Sequence, residues 1–162
     1  MGTGLRLKHL SSLKRLIAWD KGIDDMAHTV LQFDYEEVHG LKLLRAEGVG
    51  GLPMNDGSMS YDSIRLILAD GITVSINSSE NTDEIVVEKI TVDAEYGLNV
   101  ASDNELAFTT TLCGHSLGWC WVGVNWRGYK DTFLVSFETV DPQLAFVAMA
   151  SRVHCYRLVA QG

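Results

Sequence analysis

Gly114-His115-Ser116-Leu117-Gly118 fits the G-x-S-x-G spacing of a serine-hydrolase nucleophile turn. Asp131 or Asp141 and then His154 come after it, the order in which acid and base partners occur in that fold. The chemistry needs more than spacing. A strand has to end and a helix begin at the serine, so that its hydroxyl is exposed beside backbone donors. Leu106–Leu112 (LAFTTTL) can supply the strand. The segment after the serine is Trp119–Trp126, WCWVGVNW, which is aromatic and β-branched with a glycine inside it. That is strand material, not helix material. Gly114 and Gly118 are then turn residues between strands, and no residue is assigned a catalytic role. A small hydrolase using Ser116 stands as an alternative function.

Other reactive residues are arranged less suggestively. Cys113-x-His115 and His154-Cys155 offer four soft ligands of the kind zinc takes. Neighbours in a strand point to opposite faces, so His154 and Cys155 could not easily share one ion. There is no C-x-x-C, and the three cysteines fit small core residues. No metal and no cofactor is predicted. The acidic pairs Asp24-Asp25, Glu36-Glu37 and Asp83-Glu84 suit solvated edges. Gly48–Pro53 (GVGGLP) lacks the G-K-[ST] ending of a phosphate loop.

The most distinctive patch is Trp119–Asp131, WCWVGVNWRGYKD. Tryptophan, tyrosine and arginine are enriched at binding hot spots, because each joins a large apolar area to a polar handle. Strand alternation puts Trp119 and Trp121 on one face, with Cys120, Val122 and Val124 on the other. The tryptophan pair anchors a core or lines a ligand site. Trp126, Arg127, Tyr129 and Asp131 fall at a hairpin tip and form a candidate partner-binding surface. There Asp131 is placed to pair with Arg127 or Lys130.

These residues need a scaffold, and the composition is consistent with one. The chain has 162 residues, 46% apolar and 21% charged, enough for a domain with a real core. Its net charge of −8 disfavours nucleic acid, whose phosphates call for lysine and arginine. The charge is uneven. Residues 1–21 hold five basic side chains and one acid, whereas residues 22–162 hold eight bases and twenty acids. An odd number of cysteines points to a reducing compartment, hence a cytoplasmic location. No run approaches the length of an integral membrane segment.

Residues 11–20 (SSLKRLIAWD) space Leu13, Leu16 and Ile17 for a short helix capped by Ser11 or Ser12. Residues 1–28 are therefore expected to be a basic helical extension, and residues 29–162 a single β-rich domain. Met26 is an alternative start, since the charge composition changes near it. Within the domain, strands are predicted at 29–35, 41–46, 61–69, 72–77, 84–92, 106–112, 119–126, 132–140 and 153–159. Residues 145–150 suit a strand or a short helix. Residues 48–60 form a turn-rich loop, and 93–104 are irregular. Asp70-Gly71 between two alternating runs is the strongest hairpin signal, because glycine readily takes the positive φ of a primed turn. The expected class is α+β, mostly antiparallel β. It would be a twisted sheet or partial barrel of about eight strands with one or two short helices.

Three features resemble an uncharacterised family of small bacterial domains. They are Tyr61–Gly71 (YDSIRLILADG), Asp83-Glu84-Ile85 opening the next strand, and the Trp-rich strand running into Asn125–Asp131 and a Phe-containing strand. The resemblance covers roughly residues 30–158 and implies a small α+β domain with no established activity. Taken together, these features predict a non-catalytic cytoplasmic binding or accessory protein, of immunity type, docking an unknown protein partner through its hairpin tip. A small-ligand carrier using Trp119 and Trp121 is a further alternative. Oligomeric state is not legible.

Overall fold

The structure, a computed structural model, describes residues 6–9, 30–91 and 105–159. Its strands are β1 (Arg6–His9), β2 (Leu43–Val49), β3 (Leu52–Pro53), β4 (Met59–Tyr61), β5 (Ser63–Leu68), β6 (Ile72–Ser78), β7 (Ile85–Thr91), β8 (Leu117–Val124), β9 (Thr132–Phe137), β10 (Leu144–Met149) and β11 (Arg152–Arg157). One sheet has the order β1-β8-β9-β10-β11-β4-β3 and the other β2-β5-β6-β7. Every pairing between these strands is antiparallel.

Alternation explains why the sheets stack. On β5 and β6, Ile64, Leu66, Leu68, Val74 and Ile76 face inward and are almost wholly buried. They meet Phe133, Val135 and Phe137 of β9, Phe146 of β10 and Cys120 and Val122 of β8 in one continuous core. Phe133 and Phe146 stack with ring centroids 6.2 Å apart. Each fully buried aromatic contributes on the order of 1.5–3 kcal/mol through area removed from water. The architecture is mostly antiparallel β, as expected, in two packed sheets that do not form a closed barrel; its few helical turns make it mostly β and correct the α+β expectation. The helical elements lying wholly among the described residues are three short 3-10 turns, at Tyr35–Glu37, Ala69–Gly71 and Ala107–Leu112. The helix expected at 11–20 and the irregular stretch at 93–104 lie outside the described residues.

The Asp70-Gly71 hairpin forms as expected, with φ of 62° at Asp70 and 70° at Gly71 joining β5 to β6. Two expected strands do not form. Within the expected strand 106–112, Ala107–Leu112 make a 3-10 turn instead. Thr109 Oγ1 donates to the Leu106 carbonyl at 2.6 Å and Thr110 Oγ1 to the Ala107 carbonyl at 2.8 Å. Such local bonds offer the backbone an alternative to a sheet ladder. Of the expected strand 29–35, the described residues 30–34 contribute an isolated parallel bridge, Leu31 to Val87, and Tyr35 opens a 3-10 turn. Val30, Leu31, Tyr35 and Val38 instead pack into the main core. Of residues 145–150, those up to Met149 are strand, in β10 (Leu144–Met149), and Ala150 belongs to the turn after it.

The expected strand 61–69 splits at Asp62, where the chain leaves one sheet for the other. Arg152 fixes that corner. Its guanidinium donates to Asp62, to the Gly50 carbonyl and to the Ser60 carbonyl, and its Nε donates to Ser60 Oγ at 2.8 Å.

Candidate functional site

Strand β8 carries most of the residues singled out above, and its two ends differ. At its start, Gly114 turns with φ of 87°, and Ser116 forms an isolated bridge with Lys42. The strand then runs directly through Leu117–Val124 with no helix. Ser116 N donates to Glu138 Oε1 at 3.2 Å, and His115 Nδ1 lies 2.9 Å from Glu138 Oε2. The N–H that such a turn would offer an oxyanion, that of Leu117, is taken by the Leu41 carbonyl at 2.8 Å. The His115 hydrogen bond, followed by the Ser116 N–H, holds the Glu138 carboxyl below its ordinary value. Gly118 serves packing: a Cβ there would stand 2.7 Å from Ser136 Oγ. That hydroxyl bonds both Trp119 N, at 2.8 Å, and Trp119 O, at 3.3 Å.

Between the ends, the two faces of β8 separate as alternation requires. Cys120 and Val122 enter the main core. Trp121 is 9% exposed and packs with Leu134 and Ala145 on the other face of the sheet, with Trp119 and Leu158 against them. Trp119 also meets the His39 ring edge-on at 6.4 Å. Burial pushes the Cys120, Cys155 and Cys113 thiols up, away from reactive thiolate. On β11, His154 stacks on Tyr156 while Cys155 packs against the main core. Strand alternation thus separates the two potential ligands.

The far end of β8 leads into the tip, and Asn125 organises it. Its Oδ1 accepts from Arg127 N at 2.9 Å and Tyr129 N at 3.2 Å. Its Nδ2 donates to Asp131 Oδ2 at 2.9 Å, and Thr132 Oγ1 donates to Asp131 Oδ1 at 3.0 Å. The pairing expected between Asp131 and Arg127 gives way to these neutral donors. Arg127 lies instead over the Trp126 ring, 4.9 Å from its centroid.

Two other loops meet the tip. Ile85 N donates to the Lys130 carbonyl, and Ala148 N to the Asp131 carbonyl, each at 2.8 Å. Ser151 N donates to Asp83 Oδ1 at 2.5 Å. The β10–β11 turn places Ala150 and Ser151 at φ of 53° and 59°, a region non-glycine residues rarely occupy. Asp83, at φ of 53°, holds that turn from across the cleft. The result is a cleft of about 590 Å³ lined by Asn81, Asp83, Trp126, Tyr129, Asp131 and Met149, among others. Trp126 is 79% exposed and Tyr129 45%. The cleft thus brings together Trp126, Arg127, Tyr129 and Asp131, and leaves Trp119 and Trp121 outside.

Sequence reasoning missed Asn81, Thr82, Asp83, Asn125 and Met149. Asn125 had a local signal, since an asparagine two residues before a turn is placed to bond its own backbone. Asp83 had none, because its partner Ser151 is remote in sequence. A second cleft of about 320 Å³, lined by Met59, Tyr61, Phe108, Cys155 and Tyr156 among others, holds none of the expected partner- or ligand-binding residues. Among the described residues, no helix is long and apolar enough to cross a membrane.

A model of a family of unknown function, DUF6334, matches residues 26–162, and the chain belongs to that family. The resemblance to an uncharacterised domain family therefore holds. No curated protein and no solved structure matches the chain.

Proposed function

We propose that this is a non-catalytic binding or accessory protein that docks one protein partner through the three-loop cleft. The observation that supports this most is the display of Trp126. A tryptophan left 79% exposed beside a half-exposed tyrosine and Met149 is an unusual concentration of apolar area. Tryptophan, tyrosine, methionine and arginine are the side chains enriched in interface centres. The backbone beneath them is held by hydrogen bonds from three loops, so little ordering is needed on binding. The acidic composition fits a basic partner, as in an immunity-type protein that holds a cationic antagonist.

The test compares proteins recovered from extract of the source organism by wild type and by Trp126→Ala/Tyr129→Ala. Docking at the cleft predicts a partner retained by wild type and lost by the double variant. Equal recovery of every partner by both defeats the reading.

A further inference from the structure

The geometry points to a specific guest for this cleft: an arginine side chain from a basic segment of the partner. The inference rests on the docking reading above and adds the chemistry of the inserted group. The first observation is Arg127. Its guanidinium already sits over the Trp126 ring at 4.9 Å, so the free protein shows which kind of group this face takes. Aromatic faces attract cations through their negative quadrupole, and arginine stacks on them as well as pairing with them.

The second observation is what surrounds that face. Asp83 and Asp131 both line the cleft, along with Tyr129. Asp83 is held by the N–H and hydroxyl of Ser151, and Asp131 by the Asn125 amide and the Thr132 hydroxyl. Neutral donors fix the position of each carboxylate without cancelling its charge. A guanidinium matches carboxylates with a planar fork of donors, and these are already oriented. The third observation is long-range. Residues 22–162 carry twenty acids and eight bases, a field that draws in a basic segment and repels an acidic one. Arg127 is then an internal stand-in that the guest displaces from the tryptophan face.

Nuclear magnetic resonance titration of the full chain tests this, reading the Trp126 indole N–H signal. The probe is N-acetyl-L-arginine methylamide, compared with the norleucine and glutamate counterparts. The arginine probe is expected to move the signal saturably, with the other two far weaker. Arg127→Ala is expected to tighten arginine binding by about threefold, the size of one exposed cation–π contact. Asp131→Asn is expected to weaken it by about as much, with the other indole signals unmoved as a check on folding. Four results overturn the inference: equal response to norleucine, preference for glutamate, no response to any probe, or loss of the arginine response in Arg127→Ala. A wild-type-specific partner recovered alongside any of these leaves docking intact and removes only the arginine guest.

Discussion

Both ends of β8 run into polar turns, yet the two spend their polar groups differently. At the Gly114–Ser116 end, the histidine and the serine N–H turn onto a single carboxylate, Glu138. At the Asn125–Asp131 end, one asparagine satisfies the turn's backbone while Trp126 and Tyr129 stay outside. The first end matches a catalytic pattern by letter and is closed on itself. The second matches no motif and displays its area to solvent. A short pattern gains weight only from its structural context, whereas large apolar side chains displayed on an internally satisfied turn are themselves an invitation to bind.

That contrast can be broken in several ways. The largest effect is expected at the tip. Trp126→Ala/Tyr129→Ala should weaken partner binding by about a hundredfold or more, as for hot-spot residues. Its unfolding free energy should stay within about 0.5 kcal/mol of wild type in urea titration. Ser116→Ala should leave binding unchanged. A loss of binding there equal to that at the tip would erase the distinction.

Gly118→Ala should do the reverse. The new Cβ would press on Ser136 Oγ and disturb the bonds to Trp119, costing about 1–3 kcal/mol of stability. Partner affinity of the folded fraction should not change. Asn125→Ala sits between these extremes. It removes the acceptor for Arg127 N and Tyr129 N. We expect about 0.5–1.5 kcal/mol of lost stability, with faster amide exchange confined to residues 125–131. Unchanged exchange at the tip would show that Asn125 does not hold it.

The smallest effect belongs to Glu138. Its folded-state carboxyl titrates below the ordinary value of 4.5, chiefly through the His115 hydrogen bond. A depressed value means the interaction contributes at pH above 4.5 and is lost as pH falls through the lower folded value. Wild type should therefore lose stability more steeply than Glu138→Gln on acidification through that range. Parallel curves would remove Glu138 from the account of the first end.

How much of this could be seen in the sequence depended on the range of the interaction. Where one local cause was enough, the sequence was legible. Alternation in Ile72–Asn77 and the Asp70-Gly71 turn specify β5 and β6 without reference to the rest of the chain. The aromatic tip was legible for the same reason, since Trp126, Arg127 and Tyr129 are close in sequence and flank a glycine turn. Residues 106–112 misled because threonine favours strands on average, while here two threonine hydroxyls bond back to carbonyls three residues earlier. The break at Asp62 left a local trace, since the apolar register of Ile64, Leu66 and Leu68 runs back onto Asp62 and Ser60, but Arg152, which holds the corner, lies some ninety residues away. The cleft was half legible. Its tip is local, but Ala150 joins it through the pairing of β9 with β10, and Asp83 only through the stacking of two sheets.

Site-specific photo-crosslinking compares the two ends of β8 most directly. A benzoylphenylalanine is placed at Trp126 in one protein and at Ser116 in another, and each is irradiated in extract of the source organism. The account predicts a discrete partner adduct from position 126 and none from position 116. An adduct from position 116 alone, or equal adducts from both, would contradict it.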